Sequence, residues 1–305
     1  MSGDYQRGPR KKGGKKPPSP RGHPPPPPPT PPGGDDLAAR IQRAVDDTGS
    51  PRPRRPARDV RPPLRVFTTT HWEYPSQHYD DTLGKSMQGD KEYVGATPSW
   101  VIWQLLQRYT RKGDLIVDPM CGSGTTIDVC TDLGRKARGF DLQPTRPEIE
   151  RADARSLPMD ACIADFAFVD PPYSTHVDYS DDEACIGKLD ASEAPGRRGE
   201  PMGLAYYEAM GRVIGELHRV LKPGRYLGLY VSDSWKKNKG AKGGTLMPIG
   251  FELFSIMRER FEPVDIIAVE RHNAKLGRGN WHKSAEEGNY FLRGFNYLFI
   301  MKKPK

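Results

Sequence analysis

The stretch Asp114–Cys130, DLIVDPMCGSGTTIDVC, constrains the fold more than any other part of the chain. A short apolar run ends on Asp118 and meets Pro119, which has no N–H to continue a strand ladder. Gly122-Ser123-Gly124 follows, and then a helical pattern over about 124–133. Glycines at such a point let the backbone turn tightly and approach a ligand. The first turn of the next helix also presents unpaired N–H groups. Strand, glycine turn and helix in this order predict a parallel sheet, with the loop at the carboxyl end of a strand.

The rest of the chain alternates in the same way. TPSWVIWQLLQRYT (97–110) predicts a helix with Thr97 as N-cap, Pro98 in the first turn, and Val101, Ile102, Leu105 and Leu106 on one face. KARGFD (136–141) and FAFVD (166–170) have the composition of strands. GLAYYEAMGRVIGELHRVLKPG (203–224) is a long amphipathic helix stopped by Pro223-Gly224. A strand over 225–233, a helix over 249–260 and strands over 263–270 and 296–303 complete the pattern. LRGFNY (292–297) fits the sheet's final hairpin, with Arg293 alternatively paired to an acid near the pocket.

Residues 1–63 differ in kind. They hold 17 of the 31 prolines, and their 14 Lys+Arg against 6 Asp+Glu account for the whole net charge of +8. Such a segment cannot bury enough apolar surface to order itself, and PPPPPP at 24–29 favours an extended polyproline helix. The expected division is a disordered basic tail over 1–63 and one catalytic domain over 64–305. DDLAARIQRAVDD (35–47) is a possible short helix within the tail. No apolar run approaches the roughly 20 residues of a membrane helix, and the first residues lack a signal peptide's apolar core. A cytoplasmic location is therefore expected. Cys121, Cys130, Cys162 and Cys185 show no C-x-x-C spacing, which predicts reduced thiols and no metal site.

Three acids follow three successive strands: Asp118, Asp141 and, in RADARSLP, Asp153. A carboxylate at the end of the second strand can accept both hydroxyls of a ribose, and one after the third can reach an adenine edge. Carboxylates repel phosphates, and the G-x-G-x-x-G fingerprint is missing because Ile127 follows where a third glycine would stand. A cofactor with adenosine and no phosphate fits better, and S-adenosylmethionine is such a molecule.

FVDPPYSTH (168–176) ends another strand on Asp170, followed by Pro171, Pro172 and Tyr173. Asp170 and the rigidly held carbonyl of Pro171 can each accept one hydrogen of an NH2 group. This localises the nitrogen lone pair that an aromatic ring otherwise delocalises. Tyr173 offers a face for a stacked base.

DPMCGSGTT followed by DPPY resembles the amino-methyltransferases that modify exocyclic amines of nucleic-acid bases. The likeness covers roughly 70–305. It implies a Rossmann-like class I methyltransferase sheet of the α/β class, mostly parallel, with helices on both faces and an antiparallel last strand. It also implies that Asp118, Pro119, Gly122, Ser123, Gly124 and Thr125 line the cofactor, that Asp141 holds its ribose and that Asp153 meets its adenine. Thr97 and Pro98 fall where the family contacts the methionine end, and Asp170 to Tyr173 form the catalytic loop. The cofactor motif precedes the catalytic motif by only 52 positions, which leaves no room for a recognition domain between them.

The resemblance is closest to DNA-modifying members, and aspartate at position 170 is similar to adenine-N6 enzymes more than to cytosine-N4 enzymes. An RNA guanine-N2 methyltransferase and an inactive nucleic-acid-binding module are the alternatives. Three loops are candidates for touching the nucleic acid: the long insertion 174–202, DSWKKNKGAKGG with Trp235, Lys236, Lys237 and Lys239, and the stretch 271–289 with Arg271, Lys275, Arg278, Trp281 and Lys283. HVDYSDDE (176–183) is too acidic for a phosphate backbone and is expected to pack over the cofactor or base. His71 and His78 are expected to be packing residues.

Overall fold

The computed structural model describes residues 61–305 apart from 81–86, 91–92, 94, 176, 178, 197–199, 238–243 and 272–278. The tail to residue 60, with its expected short helix, therefore lies outside the described residues. The first elements are β1 (His71–Trp72), α1 (Ser99–Tyr109), β2 (Leu115–Asp118), α2 (Thr125–Asp132), β3 (Lys136–Asp141) and β4 (Ile149–Arg151). Next come β5 (Ala164–Val169), α3 (Leu204–Val220), β6 (Leu221–Val231), β7 (Ser234–Lys237) and β8 (Gly244–Met247). The last are α4 (Ile249–Arg258), β9 (Glu262–Glu270), α5 (Gly279–Glu287) and β10 (Phe295–Lys302).

Eight strands form one sheet in the order β1-β9-β10-β6-β5-β2-β3-β4, and β7 and β8 form a separate antiparallel pair. The pairings β1–β9, β2–β3, β2–β5, β3–β4 and β5–β6 are parallel. Only β10 runs antiparallel, to β6 on one side and β9 on the other. This is the α/β sheet expected from the alternation, with its antiparallel last strand. The order reverses between β2 and β5, and open sheets of this kind bind ligands at that reversal, outside the carboxyl ends of the strands.

Both faces of the sheet are covered. Every residue of β5 (ADFAFV) is buried, the signature of a central strand with helices on each side. One face packs Val213, Ile214 and Leu217 of α3 and Leu253 and Met257 of α4. The other packs Val101, Ile102, Leu105 and Leu106 of α1 with Val129 of α2. An aromatic cluster extends that layer: Trp100 meets Phe67 at 5.9 Å and Tyr74 at 5.8 Å between ring centroids. Among the described residues no helix is long and apolar enough to cross a membrane.

Three boundaries differ from expectation, each for a reason of packing. Thr97 does not cap α1; Pro98 stands at that position without a side-chain cap, because the Thr97 hydroxyl is used elsewhere. Helix α3 ends at Val220, three residues before Pro223-Gly224. Its last four carbonyls all find donors there: Leu217 takes the Leu221 N–H, His218 takes Lys303 Nζ, Arg219 takes the Cys162 N–H and Val220 the Ile163 N–H. Pro223 and Gly224 instead sit inside β6, where the pairing with β5 slips between Ala164 and Phe166. The expected hairpin at 292–297 is also absent: β9 and β10 pair antiparallel, but residues 271–294, including α5, connect them. Arg293 there donates to the Phe291 carbonyl at 2.7 Å, and among the described residues it forms no ion pair with an acid of the cleft.

Candidate active site

The carboxyl ends of β2, β3 and β5 open onto one cleft of about 440 Å³, within the range of small-molecule sites. Among the described residues four carboxylates line it: Asp118, Asp141, Asp153 and Asp170. Among the described residues no lysine or arginine does.

The glycine loop is shaped by its neighbours. Asp141 Oδ2 accepts the Gly122 N–H at 3.0 Å, and the Phe140 carbonyl accepts the Cys121 N–H at 2.8 Å. Gly122 has φ +51°, and a Cβ there would lie 2.9 Å from the Tyr93 ring. The position thus needs glycine twice, for its backbone and for its contact. Gly124, at φ +81°, begins α2 without a side-chain cap. Thr126 Oγ1 donates to Asp118 Oδ2 at 2.5 Å and the Met120 N–H to Asp118 Oδ1 at 3.1 Å.

Asp141 closes β3, and its other oxygen accepts the Gln143 N–H at 3.0 Å. Asp153 lies two residues past β4 and lines the cleft. Both its oxygens also accept from Arg155, Oδ1 at 2.9 Å and Oδ2 at 2.6 Å. Burial opposes its ionisation, but the hydrogen bonds from Arg155 outweigh this and hold the carboxyl below its ordinary value. Arg155 reaches on to the Ala184 carbonyl at 2.8 Å, which ties the 174–202 insertion to the cleft.

Asp170 follows β5 directly. Thr97 Oγ1 donates to its Oδ2 at 2.6 Å and Tyr173 Oη to its Oδ1 at 2.8 Å. Pro172's carbonyl is taken by Tyr206 Oη at 2.7 Å and by the Ser174 N–H at 3.0 Å. Burial pushes the carboxyls of both Asp118 and Asp170 up to about 7, against the pull of their own hydrogen bonds. The charge of Asp118 raises Asp170 further.

The structure brings most of the expected cofactor residues to this cleft. Thr97, Asp118, Pro119, Gly122, Ser123, Thr125, Asp141 and Asp153 line it, whereas Pro98 and Gly124 are set back in the chain around it. Of the catalytic loop, Asp170 and Pro172 line the cleft, whereas Pro171 is buried and does not line it. Tyr173 does not line it, and its hydroxyl is turned onto Asp170.

Tyr93, Gly95, Tyr179, Cys185 and Ile186 also line the cleft and were not anticipated as individuals. A Cβ on Gly95 would lie 3.1 Å from Tyr179 Oη, so the two segments meet over the site. Burial, then Asp170, pushes the Tyr179 hydroxyl up to about 12. Of the acidic stretch 176–183, Tyr179 and Ser180 line the cleft. His71 and His78 lie outside it; His71 is exposed beside Glu270, and burial, then Arg61, lowers His78.

Among the described residues, the candidate nucleic-acid contacts do not line the cleft. Trp235 stacks on Tyr290 with centroids 5.3 Å apart, Lys236 is paired with Asp190, and Arg271 donates to Ser232 Oγ at 3.3 Å. Lys237 lies in β7, while Trp281 and Lys283 lie on α5, where Lys283 approaches Glu287 at 3.8 Å. The stretch expected to be loop is thus partly helical. Lys239, Lys275 and Arg278 lie outside the described residues.

Residues 38–150 match the family described as DNA methylase. A Type II methyltransferase of Methanocaldococcus jannaschii is 35% identical over 60 residues, which is 20% of this chain and 11% of the relative's length. Among solved structures, a SAM-dependent methyltransferase from Methanosarcina mazei gives a TM-score of 0.40 at 16% identity, covering 66% of this chain and 97% of that one. A putative DNA modification methylase from Thermus thermophilus, complexed with S-adenosyl-L-methionine, gives 0.34 at 18% identity, covering 50% and 54%. The family match contains the glycine loop and ends before Asp153 and Asp170, and the 60 residues shared with the Type II relative span about a tenth of that relative's length.

Proposed function

We propose that the chain is an S-adenosylmethionine-dependent methyltransferase acting on the exocyclic amine of a nucleic-acid base, adenine N6 in DNA. One observation carries the reading above the others: Asp170, at the end of β5, opens into the same cleft as Asp118, Asp141 and Asp153. A cleft lined by four carboxylates disfavours phosphate and favours a cation. Adenosine bearing a sulfonium fits it. In this reading Asp141 takes the ribose hydroxyls, Asp153 faces the adenine, and Asp118 with the Gly122–Gly124 loop borders the methionine side.

S-adenosylmethionine, when bound, supplies an electrophilic methyl group on positively charged sulfur. The chain supplies orientation. Asp170 accepts one hydrogen of the target amine and the Pro171 carbonyl accepts the other, so the nitrogen lone pair stays directed out of the ring plane. Among the described residues no donor occupies that carbonyl, whereas Pro172's is filled. With its carboxyl pushed up to about 7, Asp170 is also matched to receive the proton that nitrogen sheds.

The reaction is tested by incubating the full chain with methyl-labelled cofactor and DNA or RNA, followed by nucleoside mass spectrometry. Label in N6-methyladenine of DNA supports the proposal. Label in N4-methylcytosine keeps the chemistry and changes the base; label only in RNA guanine replaces the substrate; cofactor binding without label leaves a binding module.

The electrostatics give a separate expectation. Asp118 and Asp170 are protonated and neutral below about pH 7 and ionised above it. Affinity for the sulfonium cofactor, measured by titration calorimetry, is expected to tighten about 3–10-fold from pH 6 to pH 8. S-adenosylhomocysteine, a neutral thioether, is expected to bind with little change over that range. Equal pH profiles for the two ligands would remove these carboxylates from the sulfonium site.

A further inference from the structure

We propose that Asn296 is a positioning residue for Asp170, acting through the hydroxyl of Tyr173. The inference rests on the catalytic reading of Asp170 above, and it adds a residue from the far end of the chain. Asn296 lies on β10, 123 positions from Tyr173, and its Nδ2 donates to Tyr173 Oη at 3.0 Å. That hydroxyl in turn donates to Asp170 Oδ1 at 2.8 Å.

A phenol has a single proton. With its lone pair filled by the Asn296 amide, the proton of Tyr173 has one direction left, towards Asp170. Thr97 occupies the other carboxylate oxygen, so Asp170 is held by one hydroxyl on each side. The carboxylate plane is thereby set before any amine arrives.

The cost of this amide argues that it is not there for packing. Asn296 is only 4% exposed, and its Oδ1 has no hydrogen-bond partner among the described residues. The same side of β10 continues with Leu298 and Ile300, both fully buried. An apolar residue would suit position 296 better, because a buried unmet acceptor costs about 1–3 kcal/mol. Polar groups kept at such a cost concentrate at functional sites.

The surroundings of Asp170 define what else acts on its charge. Asp118 at the end of β2 opposes ionisation, and Arg271, which follows β9, favours it. Tyr230 of β6, Tyr206 of α3, Tyr93 and Tyr179 also face it. Against burial, the hydroxyls of Thr97 and Tyr173 are what favour the carboxylate most. Weakening either one therefore raises the pH at which Asp170 ionises.

The test reads that ionisation directly, with no cofactor or nucleic acid present. Full-length chain carrying carboxyl-labelled aspartate is titrated by carbon NMR, and the Asp170 resonance is identified by its loss in Asp170→Ala. Tyr173→Phe, which keeps the ring and removes the donor, is expected to move the Asp170 midpoint up by about one pH unit. Asn296→Leu is expected to move it up by about half that. The double variant is expected to match Tyr173→Phe alone, because Asn296 acts only through the missing hydroxyl. An unmoved midpoint in Tyr173→Phe, or the same Asn296→Leu shift with and without the Tyr173 hydroxyl, overturns the relay. Methylation assays on the same variants separate the two readings. A relay present in NMR but a chain that methylates nothing would sink the catalytic role and leave the relay standing.

Discussion

Asp170→Ala is expected to slow methyl transfer by about 10²–10⁴-fold while leaving cofactor affinity within a few-fold of the native chain. The two effects separate because the carboxylates proposed for ribose and adenine stand on other strands, Asp141 at the end of β3 and Asp153 after β4. Asp170 lines the same cleft from the end of β5. Single-turnover transfer of labelled methyl and calorimetric binding are the measurements, and unchanged turnover would remove Asp170 from the chemistry. The same variant carries a stability signature. Burial raises the Asp170 carboxyl from 3.8 to about 7, so the folded chain keeps a proton that the unfolded chain releases near pH 4. The stability this group contributes is complete below the unfolded value and is lost as pH rises through about 7. The alanine variant lacks that loss. Its melting temperature relative to the native chain is expected to rise between pH 5 and pH 8, and a gap independent of pH would contradict a charge buried at this site.

Such a trade of stability for a buried charge marks where local rules of sequence are broken, and it bears on what could be read in advance. Several strands of the main sheet were legible because a short run ends on an acid, as β2 does on Asp118 and β3 on Asp141, whereas β1, β7 and β8 carry no such pattern. KARGFD spans the same six residues as β3. The glycine loop was legible because Gly122 needs both a positive φ and room for a ring. The identity of that ring was not: Tyr93 lies in a stretch with no periodicity, and nothing in its neighbours announces that it lies over the loop.

The end of α3 shows a different limit. Pro223-Gly224 is a strong local stop signal, yet the helix ends earlier because Lys303, Cys162 and Ile163 supply donors to its terminal carbonyls. Those partners are fixed only when β5 and β10 are in place. Thr97 is similar. Its position before an apolar run is that of an N-cap, but Asp170, 73 residues on, takes its hydroxyl. Asn296 carries no local signal at all, since it interrupts an otherwise apolar edge of β10 for a partner 123 positions away. Asp153 and Arg155 were within reach of sequence reasoning. Their two-residue spacing allows the ion pair that forms. Long-range hydrogen bonds therefore account for most of what the pattern of residues left open.

The second large effect concerns the cofactor. Asp141→Ala is expected to weaken cofactor binding by about 10²–10³-fold. A carboxylate that accepts two ribose hydroxyls makes two charge-assisted hydrogen bonds, each worth about 1.5–3 kcal/mol. Asp141 also holds the loop itself, through the N–H groups of Gly122 and Gln143. Its removal frees the turn that brings the backbone to the ligand. Asp153→Ala is expected to cost less, because it removes one proposed contact to the adenine edge and leaves the hydrogen bonds that shape the glycine loop in place. Calorimetry with S-adenosylmethionine and with S-adenosylhomocysteine distinguishes this role from that of the buried pair. The ribose is common to both ligands, so Asp141→Ala must weaken both equally. A variant that weakens only the sulfonium form would instead place Asp141 with Asp118 and Asp170, near the charge rather than the sugar.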